Sequence, residues 1–159
     1  MMNYSKQRLG IYAGSFAPFH VGHLDIVKQA AEVFDGVLVA QGINPQKRTA
    51  GGDIVKYPLP TKFFADMFRN RVQTIVFSSL LTYLIETKEQ DYDVTLVRGL
   101  RSGADLEYEQ NMVAFLRGMY SKIKVVAFYC DPKFRHVSSS GLRAIAEFSE
   151  SEYKKYVVA

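Results

Sequence analysis

The sequence has no tryptophan, a single cysteine, Cys130, and only three histidines among its 159 residues. One cysteine cannot form an intramolecular disulfide, and it is too few for a cysteine-rich zinc site. No apolar run reaches the roughly 18 to 20 residues that cross a bilayer. The first residues also lack the unbroken apolar stretch that is typical of a signal peptide. The sequence therefore predicts a cytoplasmic protein with no membrane span.

Basic residues exceed acidic ones by 20 to 16, which gives a net charge of +4. They are not gathered into the run of about 5 to 8 basic residues that indicates nucleic-acid binding. They fall instead near the ends of predicted strands, as Lys47 and Arg48, Arg98 and Arg101, and Arg135 and Arg143. This placement favours a small anionic ligand and predicts no nucleic-acid partner.

Strand-like and helix-like apolar patterns alternate along the chain. The predicted strands are 8–14, 36–42, 71–77, 93–99 and 121–130, and the predicted helices are 22–34, 61–70, 79–90, 104–120 and 138–148. Two glycines and two prolines predict a loop over 49–61. The alternation indicates right-handed crossovers. It predicts an α/β fold, a single-domain Rossmann-like doubly wound sheet of five parallel strands over residues 1–159, with helices on both faces.

The segment "GSFAPFHVGH", residues 14–23, joins the first strand to the first helix. Gly14 allows a turn, and Gly22 lets the backbone approach a ligand without an intervening Cβ. A helix N-terminus offers free N–H groups and the positive end of a dipole, so we expect a phosphate there, with His23 as a hydrogen-bond donor. In the alternative interpretation, His20 and His23 only cap the helix or fill space.

Two arginines flank a glycine in "VRGLRSGADLEYEQ", residues 97–110. Arg98 ends a predicted strand and Arg101 follows three residues later, so both are predicted to face one crevice and bind an anion through forked hydrogen bonds. Either Glu107 or Glu109 is expected to orient an arginine or to accept from a ribose.

Three serines begin the last predicted helix in "HVSSSGLR", residues 136–143. Three hydroxyl groups exceed what a helix cap needs, so they are predicted to hold the outer phosphates of a nucleotide. A protein-bound metal is not predicted, because the histidines lack the i, i+4 spacing of zinc hydrolases. Gly14-Ser15-Phe16 also lacks the glycine spacing of a serine-hydrolase turn.

These clusters resemble the nucleotidyltransferase superfamily that carries an H/TxGH motif. The motif is matched by His20-Val21-Gly22-His23, and the serine-rich helix start of the superfamily is matched by Val137-Ser138-Ser139-Ser140. "YAGSFAPFHVGHLDIV", "NPQK" and especially "VRGLRSGADLEYE" resemble the phosphopantetheine adenylyltransferase family in the same order over nearly the whole chain.

The resemblance implies that the phosphate of 4′-phosphopantetheine attacks the α-phosphorus of ATP, giving dephospho-coenzyme A and pyrophosphate. It also implies Mg²⁺ on the ATP phosphates and a homohexamer. By motif position, the catalytic residues would be His23, Lys47 and Arg101. The acceptor would be bound by Ser15, Lys47, Leu81 and Arg98. The nucleotide would be bound by Ser15, Phe16, His23, Gly99, Leu100, Arg101, Glu109, Phe134, Arg135, His136, Val137, Ser138, Ser139 and Ser140.

Four positions depart from the family pattern. Ala17 and Ser79 each replace an aspartate, Leu116 replaces an asparagine, and Ala144 replaces a glutamate. Two alternatives therefore stay open. One is another nucleotidyltransferase of the superfamily, such as a nicotinamide-mononucleotide adenylyltransferase or a cytidylyltransferase, although the "RGLR" stretch does not fit these. The other is a catalytically silent nucleotide-binding protein, which the intact anion-binding residues disfavour.

Overall fold

The structure, a computed structural model, describes residues 4–43 and 56–159. Within these residues the strands are β1 (Arg8–Gly14), β2 (Gly36–Gly42), β3 (Val72–Phe77), β4 (Asp93–Leu100) and β5 (Val125–Tyr129). They form one sheet in the order β3-β2-β1-β4-β5, and each neighbouring pair is parallel. The predicted doubly wound α/β fold is therefore confirmed. The order reverses between β1 and β4, and this is where such sheets bind ligands.

The helices are α1 (Val21–Val33), α2 (Thr61–Phe68), α3 (Leu81–Glu89), α4 (Gly103–Met119), α5 (Ser139–Ala146) and α6 (Glu150–Lys154). Because side chains of a strand alternate between the two faces of the sheet, two separate cores form. One core joins α1 and Phe64 of α2 to residues such as Tyr12 and Val39. The other joins α3 and Leu116 of α4 to residues such as Ile11 and Leu96.

The predicted element boundaries differ from the structure mainly near the C-terminus. The fifth strand is shorter than the predicted 121–130, because β5 is an edge strand and its ladder with β4 runs only from Leu96↔Val125 to Leu100↔Tyr129. The last predicted helix ends at Ala146, and α6, which was not predicted, follows. The predicted 49–61 loop lies partly outside the described residues. None of the helices in the described part of the chain is long and apolar enough to span a membrane.

Gly10 shows how closely α1 is packed against the central strand β1. A Cβ added there would lie 2.7 Å from Cδ2 of Phe34 and 3.0 Å from Cγ2 of Val97. Both neighbours belong to the buried core that fixes α1 on the sheet. The glycine therefore allows the end of α1 to pack closely against β1.

We expect Gly10→Ala to lower the free energy of unfolding by about 1 to 3 kcal/mol, because the new methyl group overpacks this contact. Gly118→Ala is the matched control, since a Cβ at Gly118 on α4 has no neighbour within 4 Å. The control should raise stability by about 0.5 to 1 kcal/mol through helix propensity. Urea denaturation measures both changes. A Gly10→Ala protein as stable as the native one would contradict the packing argument.

Candidate active site

A cleft of about 650 Å³ lies at the carboxyl ends of β1, β2 and β4, where the strand order reverses. The chain leaves each of these buried strands through a turn that leads to a helix, so polar side chains of several turns meet there. Most of the predicted site residues line this cleft: Ser15, Phe16, His23, Leu81, Arg98, Gly99, Arg101, Glu109, Ser138, Ser139 and Ser140. The structure therefore brings the separate sequence clusters together.

Six predicted residues are not in the lining. Lys47 falls outside the described residues. Leu100, Phe134, Arg135, His136 and Val137 do not line the cleft, although Phe134 and Val137 adjoin residues that do.

The reasons are physical. Leu100 and Val137 are buried in the protein interior. Phe134 packs against the α1 core, and the His136 ring meets the ring of Tyr156 with centroids 5.8 Å apart. Arg135 is exposed after a 3-10 turn.

His20 and His23 cap the start of α1 reciprocally. Nδ1 of His20 accepts from the backbone N–H of Gly22 at 3.1 Å and from that of His23 at 3.4 Å. Nδ1 of His23 accepts in return from the backbone N–H of His20 at 3.2 Å, and the two rings stack with centroids 3.6 Å apart. This is the geometry of a capping box, built here from two imidazoles.

The predicted phosphate site on free N–H groups of α1 is wrong. The N–H of Val21 donates to the carbonyl of Tyr156 at 2.9 Å, and the next two N–H groups donate to His20. Gly22 is needed for the cap itself, because a Cβ there would lie 3.0 Å from Cε1 of His20. What α1 offers a ligand is therefore the imidazole of His23 rather than its backbone.

The cap also determines which nitrogen of His23 carries the proton. Since Nδ1 accepts a hydrogen bond, a neutral ring must carry its proton on Nε2. Burial, with smaller contributions from His20 and Arg101, lowers the pKa of His23 well below its ordinary value, so the ring is neutral near pH 7. No described residue accepts from Nε2, and His23 lines the cleft. Capping and donation to a ligand are thus compatible, because they use opposite sides of the same ring.

Aromatic side chains hold the His23 ring in place. Phe16 packs edge-on to it with centroids 5.0 Å apart, and Phe19 lies at 5.2 Å. Phe16 has a φ of 45°, a left-handed conformation that favours glycine. Its burial in this cluster offsets that backbone cost. Phe16 was predicted to contact the nucleotide, and in the structure its ring also supports His23.

Arg98 is held by a carboxylate, as the sequence predicted for one of the two glutamates. Its Nε and Nη2 donate to Glu109 at 2.6 and 2.8 Å, and its Nη1 donates to the carbonyl of Ala13 at 2.8 Å. Three of its five N–H groups are therefore used, and two stay available for a ligand. Because Glu109 balances its charge, Arg98 acts as an oriented donor rather than as a free cation.

Arg101 is held by Asp105, a residue that the sequence analysis did not assign. Its backbone N–H and Nε donate to Asp105 at 2.9 and 3.1 Å, and its Nη1 donates to the carbonyl of Val137 at 3.0 Å. Burial alone would raise the pKa of Asp105, but the hydrogen bonds from Arg101 outweigh it and lower that pKa. The i, i+4 spacing from Arg101 to Asp105 was the available sequence signal.

The three serines have different partners. Ser138 caps α5 by accepting from the N–H of Gly141 at 3.1 Å, and the hydroxyl of Ser139 donates to the carbonyl of Pro18 at 2.9 Å. Ser140 is exposed. In the described structure the backbone N–H groups of Ser139 and Ser140 have no acceptor. The start of α5 is therefore an open helix N-terminus in this cleft.

Gln41 is a second residue that the sequence analysis missed. It is buried, and its Nε2 donates to the carbonyls of Ser15 at 3.0 Å and Tyr57 at 2.8 Å. Its Oε1 has no partner among the described residues. Gln41 thus ties the turn that presents Ser15 to the segment after residue 55. A polar residue near the end of the apolar strand "GVLVAQG" was the available signal.

Comparison with known proteins agrees with this arrangement. A family model described as cytidylyltransferase-like matches residues 11–145. A phosphopantetheine adenylyltransferase from Porphyromonas gingivalis is 35% identical over 143 residues, which cover 90% of each chain. Another from Clostridium perfringens is 34% identical over 150 residues, 94% of this chain and 88% of the relative. The chain belongs to the phosphopantetheine adenylyltransferase family.

A solved structure with a similar fold is Plasmodium falciparum nicotinic acid mononucleotide adenylyltransferase complexed with APC. Its TM-score is 0.63 and its sequence identity is 15%, with 95% of this chain and 90% of that chain covered. At this identity the likeness concerns the fold, which the phosphopantetheine adenylyltransferase family shares with such enzymes.

The departures from the phosphopantetheine adenylyltransferase pattern lie in different surroundings. The carbonyl of Ala17 accepts a hydrogen bond from Arg143, and Ala144 is an exposed neighbour of Arg143 on α5. Ser79 is exposed before α3, whereas Leu116 is buried in the α3–α4 core. Two of the four departures thus leave the rim near the serine run without the usual carboxylates. Arg143 forms no ion pair with any residue in 4–43 or 56–159.

The cap predicts acid sensitivity, because burial and Arg101 lower the pKa of His20 to about 4 from an ordinary 6.5. A group with a lowered folded-state pKa stabilises fully above its unfolded pKa and loses that contribution as pH falls. We expect the free energy of unfolding to drop by about 3 kcal/mol between pH 6.5 and 4.

Chemical denaturation across this pH range measures the loss. His20→Asn is the control, since asparagine keeps a capping acceptor but does not titrate. The variant should show a clearly smaller acid loss, with the remainder due to His23. Identical pH profiles for the two proteins would contradict a titrating cap.

Proposed function

We propose that this protein transfers the adenylyl group of ATP to 4′-phosphopantetheine, giving dephospho-coenzyme A and pyrophosphate, and that it acts in the cytoplasm. The observation that carries the proposal is the neutral His23, held by its Nδ1 with Nε2–H free at the cleft. Two oriented arginines and the open start of α5 surround it. The names of relatives about 35% identical support the choice of acceptor.

In this reaction a phosphate oxygen of the acceptor attacks the α-phosphorus of ATP. The bond from the α-phosphorus to the oxygen bridging to the β-phosphate breaks, and pyrophosphate leaves with the electron pair. The substrate phosphate is already the nucleophile, so no covalent enzyme intermediate and no general base are required. Catalysis then consists of positioning and of stabilising charge on the α-phosphate oxygens, the role we assign to Nε2–H of His23.

The other donors lie where the two ends of the reaction need them. The N–H groups of Ser139 and Ser140 at the start of α5 would donate hydrogen bonds to the β- and γ-phosphates. Arg143, which contacts the carbonyl of Ala17, adds positive charge at that end. The two free N–H groups of Arg98 would donate hydrogen bonds to the phosphate of the acceptor. Leu81 would contact the apolar arm of the acceptor. Lys47 lies outside the described residues and stays a predicted acceptor-binding residue.

We propose that the nucleotide substrate is ATP with Mg²⁺ on its phosphates. Asp105 and Glu109, the acidic residues that line the cleft, are both bonded to arginines. Within the described segments no cluster of histidine, cysteine or acidic residues is suited to a metal ion. We therefore propose that Mg²⁺ enters bound to the triphosphate, where it would neutralise phosphate charge.

Pyrophosphate release tests the proposal. Purified protein with ATP and Mg²⁺ is given 4′-phosphopantetheine, nicotinamide mononucleotide or glycerol 3-phosphate in separate reactions. We expect pyrophosphate to be released only in the reaction that contains 4′-phosphopantetheine. If pyrophosphate is released only with one of the other two acceptors, the proposed identity of the acceptor is wrong. If none of the three acceptors gives pyrophosphate, the proposed transferase activity is wrong.

We expect His23→Gln to lower kcat by on the order of 10² or more, because a transition-state donor is lost. Glutamine suits this third position of a capping box, so the start of α1 should persist. The affinity for ATP and the thermal melting temperature should change little. Lys28→Ala, an exposed change on the same helix, should keep the native kcat. Native turnover in His23→Gln would remove His23 from this role.

We also propose that the protein assembles as a homohexamer. Tyr108, Phe115 and Met119 lie at helical spacing on α4, and each is more than half exposed. Of the residues of α4 only Leu116 is buried. Large apolar side chains aligned in this way favour burial against another chain. Tyr108 also lines the cleft, so the surface adjoins the active site.

Light scattering after gel filtration measures the assembly. The native protein should have six times the 18.0 kDa mass of one chain. Phe115→Glu places a charge on the exposed stripe, and we expect it to reduce that mass at least twofold without loss of helical signal. A monomeric native protein, or an unchanged mass for the variant, would contradict this assignment.

A further inference from the structure

Tyr12 lines the cleft, but it has no role in the reaction proposed above. It lies in the central strand β1 and pairs in register with Val39 of β2 and Val97 of β4. Its side chain is 6% exposed, and its ring packs edge-on to Phe16 with centroids 5.1 Å apart. The backbone and the ring are therefore both held, and the hydroxyl group has little freedom to move.

The hydroxyl of Tyr12 makes no hydrogen bond with any residue that the structure describes, although buried tyrosines usually have a partner. It is not sealed in the interior, since Tyr12 lines the cleft. A Cβ added to Gly99 would lie only 3.6 Å from this oxygen. A Cβ there would also lie 2.8 Å from Cγ1 of Ile26, so only a glycine fits between Ile26 and the hydroxyl group.

The protonation state makes this group a donor. Burial raises the pKa of Tyr12 far above its ordinary value of 10, and the nearby Arg98 and Arg101 lower it only in part. The phenol is therefore neutral near pH 7 and carries its proton. An O–H group at a partly dehydrated wall gains most from a ligand oxygen that accepts its hydrogen bond.

We propose that the hydroxyl of Tyr12 donates a hydrogen bond to an oxygen of the bound nucleotide, on its ribose or α-phosphate. The side of the cleft on which the hydroxyl lies indicates which of the two substrates it contacts. Gly99 of β4 lies beside the hydroxyl, whereas Leu81 and Phe77 line the opposite side of the cleft, beyond β2. The inference rests on the proposed function for the identity of the nucleotide. It makes Tyr12 a binding residue in addition to those of the sequence motifs.

Tyr12→Phe tests the proposal, because it removes one oxygen and leaves the ring packing in place. Calorimetric titration with ATP and Mg²⁺, without acceptor, should give a Kd raised about 5- to 10-fold, the effect of one lost hydrogen bond. Tyr83→Phe on the exposed surface of α3 is the matched control and should leave the Kd unchanged. Titration with adenosine separates the two oxygens: an equal loss of affinity indicates the ribose, and an unchanged affinity indicates the phosphate.

Other outcomes would overturn the inference. A native Kd for ATP in Tyr12→Phe, in a protein with a normal melting temperature, shows that the hydroxyl does not contact the nucleotide. A raised KM for the acceptor with an unchanged Kd for ATP moves the contact to the other substrate. The Kd measurement does not depend on turnover, whereas the acceptor KM does. If the native protein binds ATP but does not adenylylate 4′-phosphopantetheine, the proposed function fails while this test of Tyr12 stands.

Discussion

The reciprocal cap between His20 and His23 is the interaction on which the rest of the site depends. It begins α1 at the end of the central strand and uses the backbone donors of the first turn. It also fixes the proton of His23 on Nε2, the nitrogen that the cap does not use. One small motif thus ends a loop, starts a helix and prepares a neutral donor. A lysine or arginine there would bring charge but could not supply the capping acceptor, since neither side chain has one.

Carboxylates play the corresponding part for the arginines. Glu109 and Asp105 hold Arg98 and Arg101 in fixed orientations and balance their charge, so the cleft gains directed N–H donors without a large net charge. Such oriented donors lose little conformational entropy when an anion binds. Arg101 also reaches the carbonyl of Val137 and thereby joins the turn after β4 to the loop before α5. This hydrogen bond therefore connects two loops beside the cleft.

The positions that depart from the family pattern shift the electrostatics of one end of the cleft. Alanine at 17 and at 144 leaves Arg143 without an acidic partner among the described residues, close to the open start of α5. Fewer carboxylates near this end favour a highly charged phosphate chain. Leu116, by contrast, lies in the core beneath the sheet and is a packing residue. Two departures thus lower the negative charge beside the start of α5, Leu116 is a packing change and Ser79 is an exposed change before α3, while the arginine and histidine donors are intact.

The amino-acid sequence by itself determined the strand and helix order, since apolar periodicity is local, and it identified the motif residues that line the cleft. It could not show that the N–H of Val21 is taken by Tyr156, 135 residues away, because that contact exists only after the chain has folded. For the same reason it expected free N–H groups at the start of α1, where the cap uses them, and it missed Gln41 and Tyr12. Their importance comes from neighbours on other strands, and such neighbours are decided by the tertiary structure alone.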